Sequence, residues 1–182
     1  RSAKIQPIRK KGVNGGAIIP DVKLTYLHIL TDDTGLFQHA TFSIPNRFHG
    51  YCTDDNARAL IVAIMNWHLF KDESILPLIH VYLSFLNYAF DYQSQRVRNF
   101  MSYNRQWLEE VGSEDSHGRT IWALGYTLAY PPGDAVSGLA SRLFKQAVGV
   151  TSSFTFPRAW AYTILGSLYY LKRFRGVTEA RS

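Results

Sequence analysis

Two short stretches carry the residue types that acid–base chemistry needs, Gly50-Tyr-Cys-Thr-Asp-Asp-Asn-Ala-Arg58 and Gly112-Ser-Glu-Asp-Ser-His-Gly-Arg119. Each places two adjacent acids ahead of an arginine: Asp54 and Asp55 before Arg58, Glu114 and Asp115 before Arg119. Cleaving a glycosidic bond takes two carboxyl groups, one protonated to assist the leaving oxygen and one ionised as base or nucleophile. Asp54, Asp55, Glu114 and Asp115 are the candidates. A carboxylate in a helix's first turn is kept ionised by the dipole and the free N–H groups, which suits Asp55 as base or nucleophile. Glu114 fits the acid role only if it is also withdrawn from water. Arg58 and Arg119 can orient the acids or hold hydroxyl groups, and His117 can move a proton or bind a hydroxyl. His49 and His39 lie in the preceding loop, and Tyr51, Trp107 and Trp122 lie near the motifs as faces on which a sugar ring could stack. A neutral polyol ligand fits this set.

Blander duties compete for the same residues. Thr53 with Asp54 and Asp55, and Ser113 with Glu114 and Asp115, have the form of a helix N-cap and first turn. The arginines can serve as ion pairs between hairpins. Trp67, Trp122 and Trp160 fall on helical stripes and suit a core. Cys52 reads as a small packed side chain rather than a nucleophile. His39, His49, Asp54 and Asp55 match no standard ligand spacing, so no metal is expected, and the chemistry calls for no cofactor.

The elements that would position these residues are helices. Apolar periodicity predicts a helix over Asp134 to Val148 on the stripe Ala135, Val136, Leu139, Ala140, Leu143, Phe144, Ala147 and Val148. Others are predicted from Thr53, acting as N-cap, to about Phe70 with Leu60, Ile61, Ile64, Trp67 and His68 inward, and from Glu73 to about Phe90. Further helices span about Glu114 to Ala129, Thr155 to Phe174 with Pro157 in the first turn, and Val22 to Leu30. Tyr92 to Glu110 reads as an irregular loop with one short strand or turn. The fold class is all-α.

An internal repeat organises the helices. Thr53 to Leu60 aligns with Ser113 to Ala123 with one residue inserted, and Thr155 to Ala161 repeats Arg158 and the apolar step after it. The chain thus reads as successive hairpins of one inner and one outer helix. Side-by-side packing of the hairpins brings both acidic motifs to one mouth.

The segments LTDDTGLFQHA, HGYCTDDNARAL and WLEEVGSEDSHGRTIWALG together resemble glycosidase-related six-hairpin, (α/α)6 toroid domains, which are often joined to bacterial glycosyltransferases. The resemblance spans roughly Leu24 to Gly166 and implies an oligosaccharide or polysaccharide ligand and a glycosyltransferase domain in the same or a neighbouring chain. About three of six hairpins fit in 182 residues, so the resemblance implies either part of such a ring or a smaller relative of it.

Charge and composition limit the remaining classes. The net charge of +6 with a pI near 9.5 points to nucleic acid until the charges are located. Residues 1 to 12 hold five basic and no acidic side chains, and residues 171 to 182 four basic and one acidic. The remaining body has 11 basic against 13 acidic residues, which opposes a nucleic-acid groove. No apolar run reaches the roughly 18 residues of a membrane span. The first residue, Arg1, suggests a fragment or processed piece, no targeting segment is visible, and the lone Cys52 favours a reducing, cytoplasmic setting. The expected organisation is a basic tail or linker over 1–20, a helical-hairpin domain over 21–174 and a tail over 175–182. Three functions stay open: a glycoside hydrolase- or phosphorylase-like domain working through paired carboxylates, a non-catalytic glycan-binding or accessory domain of a glycosyltransferase, and an all-α scaffold.

Overall fold

The computed structural model describes residues 22–174, so the expected tails over 1–20 and 175–182 lie outside the described residues. The class is all-α. Helix α1 is Thr25–Ile29, α2 Thr53–Phe70, α3 Leu76–Ala89, α4 Glu114–Ala129, α5 Asp134–Val148 and α6 Pro157–Arg173. Six two-residue strands sit in the connections: β1 Ala40–Thr41, β2 Ile44–Pro45, β3 Tyr51–Cys52, β4 Phe90–Asp91, β5 Arg96–Val97 and β6 Phe100–Met101. They pair antiparallel as β1 with β2, β3 with β6 and β4 with β5. Among the described residues, no helix is long and apolar enough to cross a membrane.

Helix α5 has the bounds its apolar period predicts, and Pro157 opens α6 at its first residue. Helices α2 and α4 also keep their expected bounds, whereas the ends of α1, α3 and α6 move. The first helix shrinks to five residues, and a 3-10 turn over Glu73–Ile75 precedes α3, where Pro77 is accommodated in the first turn. The loop from Tyr92 to Glu110 contributes both β5 and β6, each paired with a strand outside it.

The N-cap of α2 is Cys52 rather than Thr53. The Asp55 N–H lies 3.4 Å from Cys52 Sγ, and the thiol donates to Asp55 Oδ2 at 2.9 Å, a reciprocal cap built on sulfur. Thr53 is committed elsewhere: its hydroxyl donates to the Arg98 carbonyl at 2.5 Å and its N–H to Asn99 O at 2.8 Å. Ser113 caps α4, accepting from Ser116 N–H at 3.1 Å.

The caps settle the repeat. Counted from Cys52 and Ser113, α2 and α4 align with no insertion: Asp54 and Asp115 are both second helical residues, Arg58 and Arg119 both sixth. Arg158 is the second residue of α6, so it occupies the position of the aspartates and not that of the arginines.

Helices α2, α4 and α6 lie side by side with α4 in the middle, while α3 packs on α2 and α5 on α4. Leu60, Ile64, Ile79, Leu83, Ile121, Leu124, Leu143 and Phe144 belong to one core. Burying each such side chain contributes about 2 kcal/mol. Trp67 is only partly buried, and His68, expected inward, is exposed near the end of α2. Glycines bring α4 and α6 unusually close. A Cβ on Gly125 would stand 2.1 Å from the Gly166 carbonyl oxygen, and one on Gly166 would stand 2.4 Å from the Ile121 carbonyl oxygen. Backbone therefore meets backbone along this seam, as side chains at these positions would not allow.

Candidate functional site at the starts of the inner helices

The connections leading into α2, α4 and α6 gather at one end. Pairing of β3 with β6 ties the segment before α2 to the segment before α4. Arg105 spans to Asp33 with two contacts of 2.8 and 2.9 Å, linking the same two loops at their exposed rim. Glu114 accepts from the N–H groups of Thr155 and Phe156 at 2.8 and 3.0 Å, joining the start of α4 to the lead-in of α6. Both acidic motifs thus lie at one mouth.

There the charged residues form a continuous alternating chain. Asp55 Oδ1 takes Arg58 at 2.5 Å, and Arg58 also meets Asp54 Oδ2 at 3.2 Å. Arg119 Nε lies 2.6 Å from Asp54 Oδ1 and 3.4 Å from Asp115 Oδ2. Arg158 Nε closes the series on Asp115 Oδ1 at 2.5 Å. The Arg119 guanidinium also lies over the Tyr162 ring at 4.6 Å. Arg119 occupies the space between Asp54 and Asp115, where a pair cleaving a glycoside would have to admit its substrate.

The four acids differ in their surroundings. Burial raises the pKa of Asp54, with Arg119 and then Arg58 opposing the shift. The Arg119 contact to its Oδ1 is close but lacks hydrogen-bond alignment, so this buried oxygen has charge beside it and no donor pointed at it. Glu114 goes the other way: the Phe156 N–H and then the Thr155 N–H hold its carboxyl below the usual range. That favours an ionised anchor, because the two N–H groups outweigh the desolvation on which an acid role depends. Asp55 is shared between the Cys52 thiol and Arg58.

Several expected ligand contacts take other work. His117 is fully buried; its Nδ1 accepts from Val97 N–H at 3.3 Å, so its Nε2–H donates to the Ala147 carbonyl at 2.9 Å. Burial pushes its pKa down to about 4, leaving a neutral clamp between α4, β5 and the end of α5 instead of a group that meets substrate. Tyr51 is 1% exposed, stacked on Phe37 with its hydroxyl donating to Asp32 at 2.7 Å, and so offers no face to a sugar. Trp122 is partly buried between α4 and α6, stacked 5.7 Å from Tyr162. Burial pushes the Cys52 thiol up, which removes thiolate character. His49 is exposed and packs edge-on against His39 at 4.6 Å. Among the described residues, no group of three or more His, Cys, Asp or Glu could hold a metal ion.

Two open depressions lie in the loops that lead into α2 and α4. One, of about 450 Å³, holds Trp107 with Tyr88, Arg98, Glu109 and Glu110. The other, of about 650 Å³, is lined by Asn46, Arg47, Phe48, Tyr103 and Asn104, among others. Phe48 is fully exposed and Tyr103 half-exposed. Arg47 lies over both Phe37 and Tyr103, at 5.5 and 5.7 Å, and Phe37 stacks on Tyr51 directly before α2. The floor of this depression is thus coupled to the helix start that carries the acids. Sequence reasoning singled out Trp107 and missed Arg47, Phe48 and Tyr103. Their signal was a phenylalanine between an arginine and a histidine in a polar loop, on no helical stripe that would bury it.

No protein-family model, curated protein or solved structure matches the chain.

Proposed function

We propose that the domain handles an oligosaccharide and holds it in the depression around Phe48 and Tyr103, as a glycan-binding or accessory unit of a glycosyltransferase in the same or a neighbouring chain. The observation that carries this reading is the exposed Phe48 and Tyr103 rings beside Arg47, Asn46 and Asn104 around an open cavity of about 650 Å³. Aromatic faces stack on sugar rings, and amide and guanidinium groups hydrogen-bond hydroxyls; the volume is in the usual range for ligand sites. The packing of α2 with α3, of α4 with α5, and of α6 beside α4 supports a piece of an (α/α)6 toroid. The lone buried thiol fits a cytoplasmic setting.

A second reading, glycoside hydrolase- or phosphorylase-like catalysis, is favoured by Asp54. A carboxyl whose burial favours its protonated form, close to the carboxyls of Asp55 and Asp115, has the make-up of an acid–base pair.

Titration calorimetry with a panel of manno- and gluco-oligosaccharides tests both. Binding that Phe48→Ala and Tyr103→Ala each weaken about tenfold or more supports the first reading. Absence of binding, or binding indifferent to Phe48→Ala and Tyr103→Ala, sinks it. Product release that Asp54→Asn abolishes while binding persists establishes the second.

A further inference from the structure

The depression around Phe48 and Tyr103 is built from two loops that hold no acid. Between Asp33 and Asp54 the chain has Arg47 and no acidic residue; between Asp91 and Glu109 it has Arg96, Arg98 and Arg105 and again no acidic residue. Three of these four arginines are occupied. Arg96 donates to the Gly112 carbonyl at 2.9 Å, Arg98 meets Asp91 at 3.5 Å, and Arg105 holds Asp33. The Arg47 side chain has no hydrogen-bond or ion-pair partner among the described residues, and it is the one charged side chain lining the depression.

Arg47 rests on Phe37 and Tyr103, whose rings lie 6.0 Å apart, and Phe37 is itself buried. A guanidinium seated on ring faces keeps its N–H edges for a partner in its own plane, the fork that carboxylates and phosphates match. The two amides beside it present donors as well. Asn46 Oδ1 already accepts from Phe48 N–H at 3.1 Å and Asn104 Oδ1 from the Ser102 hydroxyl, while neither NH2 group has a partner among the described residues. The acids of the preceding turn are committed. Asp33 is held by Arg105, and Asp32 accepts from the Tyr51 hydroxyl at 2.7 Å and from the N–H groups of Thr34 and Gly35 at 2.9 and 3.2 Å. Donors and an unpaired cation, with no carboxylate among them, select negative charge. Taking the depression as an oligosaccharide site, as above, we propose that the sugar it holds carries an anionic group, a uronic-acid carboxylate or a phosphate ester. That group sits on Arg47, with the sugar ring against Phe48 and Tyr103.

The experiment is titration calorimetry on the full chain with matched sets of sugars. Manno- and gluco-oligosaccharides are compared with the same chains oxidised to carboxylates at the primary hydroxyl and with the same chains phosphorylated there. One charged form is expected to bind at least about tenfold more tightly than its neutral parent, and the tighter of the two identifies the group. Arg47→Gln is expected to bring that ratio close to one. Arg47→Lys, which keeps the charge without the flat fork, is expected to retain only part of it. Arg47 is exposed, so both variants should fold, which thermal unfolding checks. Lys10→Gln with Lys11→Gln, in the basic stretch at the start of the chain, is expected to leave the ratio unchanged. Equal binding of neutral and charged forms, a ratio indifferent to Arg47→Gln, or a ratio lost in the Lys10 and Lys11 variant overturns the anionic class and leaves the oligosaccharide reading standing. No binding of any form overturns both. Tighter binding of a single-stranded oligonucleotide than of either charged sugar also overturns the proposal, because it assigns Arg47 to a phosphate backbone.

Discussion

Arg119 Nε in α4 stands 2.6 Å from Asp54 Oδ1 in α2, and this contact joins the two acidic motifs into one structure. The residues that suggest an acid–base pair in the sequence are also the ones that lash neighbouring hairpins together. Position two of each helix meets an arginine of the next, since Asp54 takes Arg119 and Asp115 takes Arg158.

The two cross-helix contacts have nearly equal lengths and very different exposure, which separates geometry from burial. The Arg119 side chain is 15% exposed and Arg158 69%. Arg119→Ala is expected to cost about 2 kcal/mol by urea unfolding, because half-buried Asp54 then keeps only its contact with the more exposed Arg58. Arg158→Ala is expected to cost clearly less, because its side chain is mostly in water. Arg119→Lys should recover little, since neither the Nε contact nor the flat seat on Tyr162 transfers to an ammonium. Equal costs for the two alanine variants would show that burial is not what gives the contact its strength.

His117 makes a pH prediction with a definite sign. Its pKa in the folded protein is about 4, against 6.5 for the free side chain, so the unfolded chain takes up the proton first. Its contribution is fully present above pH 6.5 and is lost as pH falls towards 4, to a limit of about 3 kcal/mol. Glu114, held below its ordinary 4.5, loses its own contribution only at lower pH, so the two windows separate. Unfolding free energies measured between pH 7 and 4 should fall for the natural protein and flatten for His117→Gln. A profile of the same slope in both proteins would place the titration elsewhere.

Glycine substitutions discriminate between two kinds of space. Gly125→Ala drives a methyl group into the Gly166 carbonyl, and the helices must separate or the chain must lose about 2 to 4 kcal/mol. Gly138→Ala in α5 meets nothing within 4 Å and should stabilise by about 0.5 to 1 kcal/mol through helix propensity. Thermal unfolding of the two variants should therefore move in opposite directions.

The helices were legible wherever one face is apolar and one polar, and α5 shows this best. Ends were less so. Thr53 reads as a cap because threonine caps helices, yet a cysteine sulfur beside an aspartate at the right spacing took that place. That one-residue difference produced the spurious insertion in the repeat and put Arg158 in register with the wrong residues. Strands of two residues have no period to detect, so β3 left no trace and β6 showed only as the one short strand or turn expected between Tyr92 and Glu110. Residue type misled at His117 and Tyr51, since polar atoms satisfied inside the protein look in a sequence like polar atoms waiting for a ligand. The ion pairing of the arginines was foreseeable; its order along three helices needed coordinates.

The glycine seam has one more effect. Where side chains interdigitate, a helix can roll a few degrees and repack, but α4 and α6 touch through main-chain atoms at Gly118, Gly125 and Gly166. Helix α6 is thereby locked in azimuth, and the exposed Trp160, Ile164 and Leu168 face outward on a fixed bearing. Rolling α6 would have to break those main-chain contacts all along the seam at once, so its outward face is set by the glycines and not by what lies over it.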